Sequence, residues 1–268
     1  MKISDISFII PVYNRPDEVE ELMDSFLELD GEKSFEIVII EDGSSLTSEG
    51  VLKAYRDQLN ISYFFKQNSG PGDSRNYGME RAQGNYFIIL DSDCILPKNY
   101  MTEVMASLKA NYVDCFGGPD AAHESFSNLQ KAINFSMTSI LTTGGIRGKK
   151  ESVGKFQPRS FNMGLSKKAF EATGGFGTIH PGEDPDLSIR LESLGFETAL
   201  YPEVKVFHKR RISWSKFYTQ VYKFGMVRSI LNKWHPHTKR SPIGFQHYLL
   251  SDSFFQYSSF YPDGNYLL

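Results

Sequence analysis

Asn85-Tyr86-Phe87-Ile88-Ile89-Leu90-Asp91-Ser92-Asp93 runs from a turn residue through five β-formers into two carboxylates separated by one serine. The unbroken run from Tyr86 to Leu90 predicts a strand buried on both faces, as in a parallel sheet covered by helices. Side chains i and i+2 of an extended strand point the same way. Asp91 and Asp93 are therefore expected to converge on one point beyond the sheet, where ligands of open α/β sheets bind. Adjacent carboxylates repel unless a cation lies between them. The pair thus predicts a divalent metal carrying a phosphate-bearing ligand. Asp and Ser are also ordinary turn residues, so taken alone the stretch reads as well as an acidic turn.

The flanking chain alternates between strand and helix patterns. Apolar runs at 6–13, 35–40 and 61–65 predict three further strands, and 17–29, 47–58 and 73–82 predict helices between them. Such alternation means a parallel sheet with helices on both faces. The run at 35–40 also ends in acid, at Glu41-Asp42-Gly43-Ser44. Further on, helices are expected at 97–110, 121–141, 167–173, up to Leu194 after Gly182-Glu183-Asp184-Pro185, and at 214–234. Strands are expected at 113–118, 160–166, 197–201 and 204–208. Trp214, Tyr218 and Tyr222 share one side of the last helix and would face acceptor, membrane or core, with core the simplest reading.

With 268 residues and 40% hydrophobic content, the chain can bury a sizeable core. A formal net charge of −3 argues against a dedicated nucleic-acid binder. Two cysteines, Cys94 and Cys115, make neither a disulfide framework nor a metal-ligand spacing, and a reduced cytosolic setting is expected. The first residues carry no signal-peptide pattern, and no apolar run is long enough to span a membrane.

The order of motifs resembles the family-2 inverting glycosyltransferases with the GT-A fold. The marks are Pro11-Val12-Tyr13-Asn14-Arg15, Glu41-Asp42-Gly43-Ser44, Gly70-Pro71-Gly72-Asp73-Ser74-Arg75-Asn76, Asp91-Ser92-Asp93, Phe161-Asn162-Met163-Gly164, Gly174-Gly175-Phe176 and Gly182-Glu183-Asp184-Pro185-Asp186-Leu187. The resemblance covers 4–228. It implies a Rossmann-like nucleotide-diphospho-sugar transferase fold, with a mostly parallel sheet flanked by helices and a C-terminal helical extension. A catalytic domain is expected over 1–211, its nucleotide half at 1–118 and acceptor half at 119–211, with the extension at 212–268. The loop around Arg75 departs mildly, since small residues more often precede that arginine.

The resemblance also implies roles. Asp42 would hydrogen-bond the uracil ring of a UDP-sugar, with Pro11, Tyr13 and Arg15 bordering the same pocket; an Asp-Gly turn is the plain alternative. Arg75 would lie near the nucleotide and diphosphate. Asp93 would be the direct metal ligand and Asp91 would contact ribose or metal-bound water, both in the metal set, with Ser92 between them at the nucleotide-sugar. His208, at a strand end before Lys209-Arg210-Arg211, would be a further metal ligand, and an imidazole favours Mn²⁺ over Mg²⁺. Asn162 and Met163 would lie beneath the sugar. Asp184 is the expected base, because transfer to a hydroxyl needs a carboxylate to take its proton. Asp–Pro is equally a good helix N-cap signal, and Glu183 and Asp186 are the alternative bases.

The implied acceptor is a saccharide or lipid-linked saccharide, in bacterial polysaccharide or glycolipid synthesis. Peripheral contact with the inner face of the cytoplasmic membrane goes with it, and the tail aromatics Phe254, Phe255, Tyr257, Phe260 and Tyr261 are expected to pack on the catalytic domain or to touch a membrane surface or a partner chain. The Gly- and Lys-rich stretch 142–157 is expected to order over the bound donor. Two other classes compete. A strand-end Asp phosphatase would need D-x-D-x-[TV], but Cys94-Ile95 follows Asp93. A catalytically silent sugar-nucleotide-binding module would have no use for both Asp93 and Asp184.

Overall fold

A computed structural model describes residues 1–121, 126–138, 156–179, 181–209 and 214–236. Residues Met1–Val227 form one compact unit and Arg228–Leu268 a second. Most of the stretch 142–157 and the tail from 237 lie outside the described residues, as do Arg210 and Arg211.

The larger sheet has seven strands: β1 (Ile6–Val12), β2 (Glu36–Asp42), β3 (Asn60–Lys66), β4 (Tyr86–Leu90), β6 (Cys115–Gly117), β8 (Asn162–Ser166) and β9 (Thr198–Leu200). Their order is β3-β2-β1-β4-β8-β6-β9. Within it β1 pairs parallel with β2 and β4, β2 with β3, and β6 with β9. Only β8 runs antiparallel to its neighbours β4 and β6. A small sheet joins β5 (Cys94–Ile95), β10 (Val206–His208) and β7 (Asp120–Ala121) in the order β5-β10-β7.

Strand alternation divides the core into two layers. Phe8, Ile10, Ile88 and Leu90 face one side. They pack with Val19, Leu22 and Phe26 of α1 (Pro16–Leu27), Leu52 of α2 (Glu49–Leu52), and Tyr100 and Val104 of α4 (Tyr100–Ala110). Ile9, Phe87 and Ile89 face the other side. There they meet Met79 of α3 (Pro71–Arg81), Ala169 of α6 (Lys167–Thr173), and Leu187 and Leu191 of α7 (Glu183–Ser193). Phe8 is boxed by Phe26 and Phe35, with ring centroids 4.8 and 5.0 Å away and near-perpendicular planes. Full burial of one such ring is worth about 2–3 kcal/mol, so the first layer anchors the strand ends that carry the site.

The remaining helices are α5 (Asn128–Thr138) and α8 (Trp214–Trp234). The expected helix at 121–141 is shorter, because Ala121 belongs to β7. The region expected to be helical over 47–58 is one short turn, α2, followed by hydrogen-bonded turns. On α8 the expected core face is corrected: Tyr218 and Tyr222 are exposed, while Val227 is buried.

Candidate active site

The ends of β1, β2 and β4 open on one edge of the sheet, and the loops after them are tied together. Asn14 takes a left-handed backbone with φ 55°, which asparagine tolerates. Its N–H donates to Ser44 Oγ at 2.7 Å and its side chain accepts from Leu46 N at 2.9 Å. Buried Glu41 accepts from Ser44 Oγ and from Ser48 N. Thus Glu41, an unremarked neighbour of Asp42 in the sequence reading, holds the β2 loop in shape.

Asp42 is buried and heavily engaged. It accepts from Lys66 Nζ at 2.7 Å, Ser69 N at 3.0 Å and Gly70 N at 2.9 Å. Gly43, with φ 72°, lets the chain pass so close that a Cβ there would meet Asn68 N at 2.6 Å. Asp42 therefore organises 68–70 as well as bordering the edge. Tyr13 and Arg15 are exposed there, Pro11 is half-buried, and Arg15 lies 3.8 Å from Glu18.

The strand geometry expected for Asp91 and Asp93 is corrected. β4 ends at Leu90, and the following residues turn. The two carboxylates consequently go to different partners. Asp91 Oδ1 accepts from Arg75 Nη2 at 2.8 Å. Asp93 Oδ1 lies 2.9 Å from His208 Nε2. The second contact exists because β10 pairs with β5, placing His208 opposite Cys94. Lys209 N also donates to Asp93 O at 2.8 Å, and the His208 ring stacks on Phe161. Lys209 Nζ turns away to Glu21 of α1.

Ligand atoms of Asp93, Cys94 and His208 all lie within 4.8 Å of one another. Burial pushes the Cys94 thiol well up, with Asp93 and Asp91 adding to it, and its sulfur donates to Phe161 O. A protonated, committed thiol is a poor ligand, so the donor set is one carboxylate and one imidazole. That pair fits a hard or borderline divalent ion such as Mn²⁺ or Mg²⁺.

Glu18, in the first turn of α1, was not singled out by its motif. Ser92 Oγ donates to it at 3.4 Å. Burial, reinforced by the Asp93 charge, raises its pKa from 4.5 to about 7 against the pull of Arg15, Ser92 and Lys209. Only the packing of α1 on the β4 end reveals it.

Arg75 and Asn76 split their work. Asn76 Nδ2 donates to Phe176 O at 2.9 Å and its Oδ1 accepts from Phe176 N at 2.8 Å. A Cβ on Gly175 would strike Asn76 Oδ1 at 2.2 Å, whereas Gly174, with φ 71°, is the left-handed C-cap of α6. Arg190 clamps the same turn through Thr173 O and Gly175 O, both at 2.7 Å. It is held by buried Asp186, at 2.7 Å from Nη2, so Asp186 is committed to structure and is not a base.

Glu183 and Asp184 open α7, whose N-cap is Gly182. Of the N-cap and first-turn readings of Asp184-Pro185, the first-turn one holds, since Gly182 is the N-cap. The Asp184 Oδ1 is buried with no hydrogen-bond partner among the described residues. Glu183 Oε2 accepts from Gly182 N at 2.9 Å. Asn162 is fully buried. Its Oδ1 accepts from Tyr100 OH and its Nδ2 donates to Val204 O, both at 2.7 Å. With both ends of the amide used in the core, it ties β8 to α4 and to the turn before β10.

Comparison with known proteins adds a decisive match. The description of Glycosyl transferase family 2 fits residues 7–174, more than half of the chain. The chain belongs to glycosyl transferase family 2. This family-2 chain is 30% identical over 111 residues to the poly(ribitol-phosphate) beta-N-acetylglucosaminyltransferase TarS of Staphylococcus aureus, which covers 40% of it and 19% of that protein. It is 29% identical over 161 residues to the GalNAc(5)-diNAcBac-PP-undecaprenol beta-1,3-glucosyltransferase of Campylobacter jejuni, covering 59% and 50%. It therefore spans half or less of the length of these relatives. Among solved structures, TarS 1–349 in complex with UDP-GlcNAc superposes with a TM-score of 0.58 at 20% identity, covering 78% of this chain and 59% of that one. The mannosyltransferase PcManGT of Pyrobaculum calidifontis, with GDP-Man and Mn²⁺, gives 0.60 at 15%, covering 78% and 58%. The family-2 chain thus has the GT-A fold.

Proposed function

We propose that this chain transfers a sugar, with inversion, from a UDP-sugar to an acceptor hydroxyl. The observation that carries the reading is the pairing of two acidic centres at one sheet edge, Asp93 with His208 and Glu183 with Asp184, in a family-2 chain. Residues 1–211 would carry the activity and 212–268 would form the extension. Asp42 and the loop it organises would hold the base, with Pro11, Tyr13 and Arg15 at the pocket rim and Asp91 and Ser92 toward the ribose.

Asp93 and His208 would hold Mn²⁺ or Mg²⁺, which when bound supplies positive charge against the donor diphosphate. Asp184 would take the acceptor proton as the new bond forms. Inversion needs no covalent intermediate, so this one base suffices. Its unpartnered Oδ1 suits the role, since a carboxylate oxygen spent on a structural hydrogen bond is a poorer acceptor. The acceptor we expect is a saccharide or lipid-linked saccharide, in keeping with the undecaprenol-linked and polymer acceptors in the relatives' names. We expect a cytoplasmic setting with peripheral membrane contact; no helix among the described residues is long and apolar enough to cross a membrane.

The test is a panel of UDP-GlcNAc, UDP-glucose and GDP-mannose, followed by thermal stabilisation and nucleotide release with Mn²⁺ or with EDTA. A UDP-sugar should stabilise the protein by mass action and release UDP only with metal. Stabilisation by none of the three, or metal-independent turnover, would contradict the reading.

A further inference from the structure

Arg75 projects from α3 into the space between the end of β4 and the start of α7. Its side chain is only 5% exposed. It reaches Asp91 Oδ1 at 2.8 Å through Nη2 and Glu183 Oε1 at 3.7 Å through Nη1. Its guanidinium carbon lies 5.3 Å from the Phe176 ring centroid. Burial opposes the charge, but Asp91, Asp184 and Glu183 together outweigh it and hold the group above its ordinary value. One buried cation therefore feels carboxylates from both acidic centres.

Two features separate this arrangement from an ordinary buried ion pair. Arg75 Nε and Nη1 are buried without hydrogen-bond partners among the described residues, and so is Asp184 Oδ1. The cluster thus holds unspent donors and an unspent acceptor in the same neighbourhood, where unpaired polar atoms are costly. The Nη1–Glu183 distance is too long for a hydrogen bond, so a small shift of the α7 start would close it. Arg75 itself sits on a firm base. The next residue, Asn76, is bonded twice to the Phe176 backbone, and the turn carrying Phe176 is clamped by Arg190.

We propose that Arg75 is a positioning residue that ties Asp91 at the end of β4 to Glu183-Asp184 at the start of α7, and is not a ligand of the donor diphosphate. The role rests on the transferase reading above. Only 5% of the side chain is exposed and protein carboxylates already stand at both its Nη atoms, which leaves little access for a phosphate. Removing it would leave carboxylates of both centres facing one another across a buried gap, and they would separate. Donor binding at the sheet edge would survive. Alignment of the Glu183-Asp184 segment with the reacting centre would not.

The test compares the parent, Arg75→Met and Arg75→Lys in two measurements: UDP affinity with Mn²⁺ by calorimetry, and steady-state UDP release from the UDP-sugar that the parent turns over. For Arg75→Met we expect a UDP dissociation constant within about threefold of the parent, a donor KM changed as little, and a kcat lower by tenfold or more, roughly the signature of an interaction realised beyond donor binding. Arg75→Lys keeps a charge without the planar fork, so it should recover part of kcat at unchanged UDP affinity. If Arg75→Met fails to fold, the Lys variant carries the same split between kcat and affinity. A UDP affinity weakened by about tenfold or more in the folded variant would make Arg75 a diphosphate ligand and overturn the proposal. A kcat near that of the parent would overturn it as well. A parent that binds UDP but turns over no donor would overturn the transferase reading and this role with it, whereas an active parent with a UDP-blind variant overturns this role alone.

Discussion

Asp91-Ser92-Asp93 closes a strand and Glu183-Asp184 opens a helix, and the fold treats these two short acidic segments differently. At the strand end each carboxylate already has a nitrogen partner, the Arg75 guanidinium for Asp91 and the His208 imidazole for Asp93. At the helix start Glu183 is turned toward the Gly182 N–H, and Asp184 Oδ1 is left buried without a hydrogen bond. A carboxylate held against an imidazole suits cation exchange, in which a metal takes the place of the pair's own attraction. A carboxylate with an unspent oxygen at a helix start suits proton uptake. In the function proposed above, donor binding falls to the first segment and acceptor chemistry to the second.

The largest expected effect tests the helix side. Asp184→Asn preserves shape and should keep the fold and the affinity for UDP. Turnover should fall by about 10²–10⁴-fold, the range for a lost general base. Steady-state transfer by this variant at near the parent rate would leave Asp184 as a first-turn residue only. On the strand side, Asp93→Asn should weaken Mn²⁺-dependent UDP binding by roughly tenfold or more, because half of the carboxylate–imidazole donor set becomes a neutral amide. Calorimetry with and without Mn²⁺ reads this directly.

The smallest effect sharpens the strand side further. Glu18 is held up at about 7 by burial and by Asp93. The folded protein therefore binds this proton more tightly than the unfolded chain does. The resulting stability is fully present below about 4.5 and is lost as pH rises through about 7. Glu18→Gln removes the titration. In EDTA it should raise the melting temperature at pH 8 relative to the parent and change it little at pH 5. An equal shift at both values would mean that Glu18 feels no crowding from Asp93.

Much of this was legible from residue order. The apolar runs of β1, β2 and β4 are long and have one structural reading, and α8 spans the stretch its pattern predicts. What escaped has physical causes. β5 and β7 have two residues each, too few for any period to register. The antiparallel placement of β8 between two otherwise parallel blocks depends on its neighbours, which an apolar run does not specify. The convergence expected of Asp91 and Asp93 assumed that strand geometry continued past Leu90, and it does not. Asn162 shows that a residue in a family motif also serves the core, through its bonds to Tyr100 and Val204. Glu18 and the enclosure of Arg75 depend on three elements meeting, and no spacing along the chain announces that.

The most direct measurement titrates UDP, with and without Mn²⁺, into the parent, Asp93→Asn and Asp184→Asn proteins side by side. The division of labour predicts tight Mn²⁺-dependent binding by the parent, its loss in Asp93→Asn, and its retention in Asp184→Asn. Equal loss in both variants, or unchanged binding by Asp93→Asn, would contradict the assignment of donor binding to the strand end and proton transfer to the helix start.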